Sequence, residues 1–166
     1  NGTGMKKTGF FTRVNKGLRV WLFEAGIQVQ QTDFTDKEEG EKAILELQHL
    51  LKSIGRKSLL EEQHFLPALA LHTPFVLSQV EEDNKQLKML SAQLSRCVQN
   101  YLQPGTYGHY QLAGLSIQQM YMAFLSFILI YMNRQESLFN GHESFDDATS
   151  LIMESDFRSK SVSFAA

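Results

Sequence analysis

The chain has 166 residues, of which 43% are hydrophobic and 20% are charged, and its formal net charge is −2. That length suits one domain with a sizeable core. No block or stripe of Arg and Lys is present to neutralise a phosphate backbone, so the composition argues against nucleic-acid binding. Cys97 is the single cysteine, which rules out an intrachain disulfide and a zinc site built from cysteines.

Two stretches bear on where the protein works. Met5-Lys6-Lys7 is followed by no apolar run of the kind that a secretory signal needs, so we expect a cytoplasmic protein. The longest apolar run, Met120 to Met132, has 13 residues, whereas a bilayer span needs about 20. We therefore expect a buried core helix there and no membrane partner.

Apolar residues recur with the helical period of 3.6 residues in four long segments. Thr35 or Asp36 can cap the second segment, and Glu38-Glu39 then lies where the helix dipole favours acidic side chains. Thr73-Pro74 predicts a helix start in which the Thr73 hydroxyl is the cap. The predicted helices cover about residues 12–31, 36–71, 74–102 and 115–139.

Several further signals complete the predicted fold. Gly55 marks a possible break in the second helix and Pro67 a kink near its end, and the loop before the fourth helix is expected over 103–108. Four long helices joined by short corners favour an all-α, up-down-up-down antiparallel four-helix bundle. One domain, residues 5–158, would end in a short helix over about 146–157. A mobile tail, residues 159–166, would follow it.

Polar residues interrupt the apolar stripe of all four predicted helices. A cation and an anion one turn apart, as at Lys57 and Glu61, need a partner or a bound ion inside such a stripe. Taken singly, Asn84 and Tyr131 also fit an ordinary core amide and an ordinary core aromatic. We expect a shared polar layer, in which the other members supply hydrogen bonds to the charged pair. The interrupting residues are Asn15, Lys57, Glu61, Asn84, Tyr131, Gln135 and Glu136.

Four segments resemble the signature segments of one known family. They are NKGLRVWLF, KSLLEEQHFLP, EDNKQL and FILIYMNRQESLF. In that order they are similar to the patterns His-x-x-hydrophobic-Arg, His-x-x-x-Glu-Glu-x-x-x-hydrophobic-Pro, Glu-His-x-x-hydrophobic and His-Met-x-x-Glu-Glu of the hemerythrin-like (HHE) family. The resemblance covers nearly the whole globular length and implies that family's bundle of four helices.

Members of the hemerythrin-like family bind two irons or another metal pair, and characterised members carry or sense dioxygen. The resemblance places the family's ligand positions on Asn15, Lys57, Glu61, Asn84, Tyr131 and Gln135. Only Glu61 keeps a ligand type found in the family, and Lys57 brings positive charge to a ligand position. The resemblance therefore implies the family's fold, while the residues themselves predict no cofactor.

Other histidines offer an alternative metal site. Glu61-x-x-His64 matches the Glu-x-x-His element of ferritin-like di-iron bundles, and Glu46-x-x-His49 repeats it. The two elements are 15 residues apart on one helix, about 22 Å, so they cannot form one site. A reduced ligand set of Glu61, His64 and Glu136, with di-iron as the cofactor, remains the alternative.

The expected function follows from the fold and the altered ligand positions. We expect a non-enzymatic hemerythrin-like bundle that has lost its di-iron site and serves as a binding or sensory-accessory module with a polar core network. The alternative is a metal- or dioxygen-binding hemerythrin-like protein with the reduced ligand set. The sequence shows no pairing of a nucleophile with a base, so we do not expect an enzyme. The sequence does not indicate whether the partner is a small molecule or a protein.

Overall fold

The computed structural model describes residues 10–140, and within that range all regular structure is helical. The helices are α1 (Phe10–Gln31), α2 (Lys37–His72), α3 (Pro74–Tyr101) and α4 (Tyr107–Asn140). The expected all-α, four-helix arrangement is confirmed over these residues. The predicted short helix at 146–157 and the tail at 159–166 lie outside the described residues.

Each helix packs against two neighbours around a shared apolar core. Helix α1 contacts α2 and α4, and α3 contacts the same two helices from the other side. Each helix contributes side chains with no exposed surface, such as Leu22, Leu50, Leu94 and Phe124. Burying one such side chain stabilises the fold by about 1.5–3 kcal/mol relative to leaving it in water. This core holds the polar residues of the four helices in fixed positions.

The start of α2 is capped as the sequence predicts. The side chain of Asp36 accepts hydrogen bonds from the backbone N–H groups of Glu38 and Glu39, which also place two acidic residues in the first turn. Thr35 instead donates its hydroxyl to Asp33 Oδ1 at 2.5 Å. That hydrogen bond, followed by the one from the Thr35 N–H, lowers the pKa of the Asp33 carboxyl. Asp36, and not Thr35, is therefore the cap.

Helix α2 does not break at Gly55. It runs unbroken from Lys37 through Gly55 and Pro67 to His72. A glycine inside a helix costs only about 1 kcal/mol relative to alanine, and the buried side chains of Ile54 and Leu60 on either side anchor the backbone to the core. Packing therefore outweighs the local preference, and α2 presents one continuous face to the other helices.

Thr73 is the single residue between α2 and α3, and its expected role is wrong in one respect. Its hydroxyl makes no capping hydrogen bond, and this buried oxygen has no partner among the described residues. The backbone N–H of Thr73 donates to the Leu69 carbonyl at 2.8 Å and so closes the last turn of α2. One residue serves both helix ends, and its conformation, with φ −144° and ψ 65°, does not deliver the hydroxyl to α3.

Helix α4 begins eight residues earlier than the sequence predicts, at Tyr107 and not at Leu115. Thr106 supplies the missing start signal, since its hydroxyl accepts a hydrogen bond from the His109 N–H at 3.4 Å. Gly114 lies inside this extra length and has a packing role. A Cβ atom there would collide with Cβ of Phe34, so glycine lets α4 approach the corner between α1 and α2.

Side chains of α4 bind the backbone of α1. The Tyr121 hydroxyl donates to the Leu22 carbonyl at 2.5 Å, and Gln118 Nε2 donates to the Val29 carbonyl at 3.2 Å. Gly26 faces Tyr121, whose ring would lie 3.2 Å from a Cβ atom at position 26. These contacts fix how α1 and α4 are aligned along their length.

The corner between α1 and α2 is held by Tyr101 at the end of α3. Its hydroxyl donates to the Phe34 carbonyl at 2.8 Å, and the two rings meet edge to face with centroids 5.4 Å apart. A Cβ atom at Gly40 would collide with the Tyr101 hydroxyl oxygen. Only glycine therefore fits at position 40 while Tyr101 keeps this place.

Within the described residues, Tyr107–Leu138 is the one stretch long and apolar enough to cross a membrane by length and composition. The core helix of a soluble protein passes the same test, so this is weak evidence for a membrane span.

Candidate functional site

The candidate site is built around two charged residues of α2 that lie inside the protein. Lys57 and Glu61 are one helical turn apart and form a salt bridge, with side chains only 6% and 4% exposed. Taking two charges out of water is costly, and their attraction compensates only when the remaining hydrogen-bonding groups are also satisfied. The partners from the other helices therefore decide whether this pair is tolerable.

Helix α4 supplies two of those partners. Lys57 Nζ donates to Gln135 Oε1 at 3.1 Å, and the Tyr131 hydroxyl donates to Glu61 Oε2 at 2.7 Å. The Lys57 ammonium also lies 5.9 Å from the centroid of the Tyr131 ring, within the range of a cation–π contact. Both charged groups are therefore hydrogen-bonded to α4 as well as to each other.

Helix α3 completes the network through Asn84. The Tyr131 hydroxyl oxygen lies 2.6 Å from Asn84 Oδ1. A phenol has a single proton, so it donates to Glu61 or to Asn84 at any moment. Turning the Asn84 amide by a half rotation makes its Nδ2 the donor to the phenol oxygen and satisfies both contacts. We call the five connected residues Lys57, Glu61, Asn84, Tyr131 and Gln135 the polar network.

The environment of Tyr131 keeps its phenol neutral. Burial is the largest cause that raises its pKa, and the charge of Glu61 and the hydrogen bond to Glu61 raise it further. A neutral phenol is a hydrogen-bond donor, whereas a phenolate could only repel the neighbouring carboxylate. Tyr131 therefore serves as a fixed donor to Glu61 throughout the physiological pH range.

Asn15 and Glu136 are the two sequence-predicted interrupting residues that the structure does not join to the polar network. The side chain of Asn15 is 0% exposed, and neither Nδ2 nor Oδ1 has a hydrogen-bond partner among the described residues. Arg19, one turn further along α1, binds Glu136, the neighbour of Gln135. An unpaired buried amide like that of Asn15 costs about 1–3 kcal/mol.

Glu136 belongs to an ion pair that periodicity alone did not predict. Arg19 donates to Glu136 Oε1 at 2.9 Å and to Oε2 at 2.8 Å, and also to Asn133 Oδ1 at 3.0 Å. Bidentate arginine–carboxylate pairs of this kind are among the stronger and more directional ion pairs. The sequence offered Glu136 as a carboxylate without a partner. The pairing of Arg19 with Glu136 depends on the alignment of two helices.

A second buried carboxylate lies beside Asn84. Asp83 accepts hydrogen bonds from Arg134 of α4 at 2.8 Å and from Gln79 of its own helix at 3.1 Å. Lys88 of α3 forms a more exposed salt bridge with Glu62 of α2. The polar interruption at Asn84 was visible in the sequence, but the partner of Asp83 on α4 was not. These pairs connect α3 to both neighbours around the polar network.

The side chains at this site do not form a suitable set of ligands for a metal pair. An ammonium occupies one of the positions that the resemblance assigns to a ligand, and the Glu61 carboxylate already accepts bonds from Lys57 and Tyr131. In the alternative ligand set, the Glu136 carboxylate is bound by Arg19, and His64 is half-buried on α2. Over residues 10–140 no group of three or more His, Cys, Asp or Glu is arranged to hold a metal ion.

Comparison with known proteins adds no relative to this picture. No protein-family model, no curated protein and no solved structure matches the chain. The case for a function rests on the residues of the site.

Proposed function

We propose that this protein is a non-enzymatic, hemerythrin-like bundle in which a polar side-chain network has taken the place of the family's metal pair. It would work as a binding or sensory-accessory module. The observation that carries the proposal is the Lys57–Glu61 pair, hydrogen-bonded to Gln135 and Tyr131 of α4. In this proposal the Lys57 ammonium supplies the positive charge that the metal ions supply in the family.

The up-down-up-down arrangement is part of this proposal, and contacts between α1 and α4 support it. Arg19, early in α1, meets Glu136 late in α4, whereas Val29, late in α1, meets Gln118 early in α4. Two helices paired in this way run in opposite directions. The single residue Thr73 between α2 and α3 also favours antiparallel neighbours.

The chemistry of the donors favours a metal-free site over the reduced ligand set. A metal ion beside Glu61 would have to displace Lys57 or take its proton, because Glu61 is the one carboxylate of the polar network and its charge is already balanced by the ammonium. The set of Glu61, His64 and Glu136 would also require Arg19 to release Glu136. Displacing Lys57 would leave its buried ammonium without a partner, and releasing Glu136 would do the same to the half-buried Arg19.

Asn15 gives the proposal its binding role. Its amide offers one donor group and one acceptor group that no described residue uses. Proteins seldom keep a buried amide unpaired unless its stability cost serves a purpose. A small polar molecule held between α1 and α4 would find both hydrogen-bonding groups in one side chain.

Metal analysis of the purified full chain tests the proposal. We expect well under one equivalent of iron, manganese or zinc, and no near-ultraviolet absorption band of an oxo-bridged metal pair. The matched control is Glu61→Gln, which removes the carboxylate ligand but keeps the shape. The proposal is overturned if untreated protein holds two equivalents of iron and the Glu61→Gln variant loses them.

A further inference from the structure

Asn15 differs from the other buried polar side chains in having an unused donor and an unused acceptor together. Its side chain is 0% exposed, and neither Nδ2 nor Oδ1 has a hydrogen-bond partner. Within residues 10–140 the other unpaired buried side-chain atoms are Thr73 Oγ1 and His109 Nε2, one on each residue. Asn15 is therefore the place where the interior offers both kinds of hydrogen bond from one group.

The Asn15 side chain lies on the side of α1 that faces the core. Leu18 and Leu22 follow it at helical spacing, and both are buried. Among the described side chains of α1, Asn15 is also the first that is buried, because Arg13 is exposed and Val14 is half-buried. The amide therefore lies inside the bundle, near the end at which α1 begins.

The unpaired amide lowers stability at a position where an apolar side chain would continue the row of Leu18 and Leu22. Most buried polar groups in proteins have a hydrogen-bond partner, and one without a partner points to a bound water or a function. Functional sites often cost stability in this way. The Asn15 amide is accordingly the part of the interior best suited to bind a ligand.

The interior charges of the bundle favour a neutral ligand, because they are already paired. Arg19, one turn further along α1, donates to both carboxylate oxygens of Glu136, at 2.9 and 2.8 Å. On α2, Lys57 is paired with Glu61. An ion bound at Asn15 would lose its hydration without gaining a counter-charge, which is unfavourable inside a protein.

The shape of a carboxamide restricts the ligand further. One N–H and the C=O of the Asn15 side chain point to the same side, so a second amide can accept from one and donate to the other at once. A ketone only accepts and would leave the Asn15 carbonyl unpaired. A carboxylate has the same defect and also carries a charge. A site that pairs with both groups rejects analogues that lack one of them.

We propose that Asn15 binds a small, neutral molecule that carries a primary amide or urea group. This inference rests on the proposed function, since it names the ligand class of the binding module. The ligand has to be small, because the side chain that binds it is wholly enclosed. Two hydrogen bonds to the ligand would satisfy the amide and recover the stability that the unpaired group costs.

Heteronuclear NMR titration of the full chain with acetamide, acetone and acetate tests the ligand class. The three probes have nearly the same shape, but acetone lacks the donor and acetate lacks the donor and is charged. With only four non-hydrogen atoms, acetamide should bind with a Kd in the millimolar range. Acetone and acetate should bind at least tenfold more weakly.

Two variants show whether Asn15 makes the contact. Asn15→Leu should weaken acetamide binding at least tenfold, and it should stay folded because it removes an unpaired polar group. Thr73→Val is the matched control, since it removes another buried, unpaired hydrogen-bonding group, at the corner between α2 and α3. This control should bind acetamide as tightly as wild type.

Three results would overturn the proposal. If acetamide does not bind at concentrations up to about 100 mM, Asn15 holds at most ordered water. Equal binding of the three probes, or binding that survives Asn15→Leu, would show that Asn15 does not select the ligand. Tighter binding of acetate would indicate a site for anions. Metal analysis is independent of all three, so a metal-free protein that ignores acetamide would lose the ligand class and keep the metal-free bundle.

Discussion

Lys57 and Glu61 pair inside the protein, one helical turn apart on α2, and α4 hydrogen-bonds to both of them. The ammonium and the carboxylate therefore depend on each other in the folded state. A buried ion pair adds little net stability, because desolvation offsets most of the attraction, but removing one member leaves the other charge buried and unpaired.

This relationship predicts strong coupling between the two residues. Lys57→Met should lower the free energy of unfolding by about 3–5 kcal/mol, because Glu61 would keep a buried charge with no counter-ion. Glu61→Leu should have a similar effect for the opposite charge. The double variant should recover much of the loss. Chemical denaturation of the four proteins measures the coupling, and simple additivity would show that the pair is not coupled.

Asn15 and Gln135 predict opposite results for the same kind of substitution. Asn15→Leu removes an amide that has no partner among the described residues and should stabilise the fold by about 1–3 kcal/mol. Gln135→Leu removes the acceptor of Lys57 and should destabilise it by a similar amount. Urea denaturation compares the two. A loss of stability in Asn15→Leu would mean that this amide is hydrogen-bonded in solution.

Tyr131 predicts a loss of stability at alkaline pH. Burial, reinforced by Glu61, raises the pKa of the folded phenol, while the unfolded phenol keeps a pKa of about 10. The stabilising contribution of the Tyr131 phenol is therefore complete below about pH 10. It is lost as the pH rises further, because the phenol ionises first in the unfolded state. Unfolding free energy above that pH should fall more steeply in wild type than in Tyr131→Phe. The control Tyr107→Phe changes an exposed ring outside the polar network.

An added methyl group should have one effect at Gly40 and the opposite effect at Gly17 and Gly55. Gly40→Ala should destabilise the fold by about 1–3 kcal/mol through overpacking, because the new Cβ would collide with the Tyr101 hydroxyl. Gly17→Ala and Gly55→Ala add a methyl group where no heavy atom lies within 4 Å. Each should stabilise the protein by about 0.5–1 kcal/mol. Thermal unfolding of the three variants decides it, and a common sign would contradict the packing at position 40.

The periodicity of single helices predicted most of the polar network. A helical period tells which side of a helix faces the core, so Lys57, Glu61, Asn84, Tyr131 and Gln135 can be grouped from the amino-acid sequence alone. The period does not tell whether a hydrogen-bond partner from another helix lies within reach. Asn15 belongs to the same pattern and finds no hydrogen bond among the described residues.

The ion pairs between helices lie beyond such a prediction. Arg19 and Glu136 are 117 positions apart, and their meeting depends on how α1 and α4 are aligned. The same holds for Asp83 and Arg134. The early start of α4 had a local signal, the capping hydroxyl of Thr106, but the glycines that follow favoured a loop.

The hydrogen bonds from Tyr121 and Gln118 to α1 end on backbone carbonyls, so substitutions on the two helices affect them differently. A new side chain at Val29 leaves the accepting carbonyl in place, whereas a new side chain at Gln118 removes the donor. The same asymmetry holds between Leu22 and Tyr121. These bonds recognise the helical backbone of α1 and not its sequence. Substitutions on α1 can therefore keep both bonds within the limits of packing, whereas a substitution that removes either donor on α4 loses one of them.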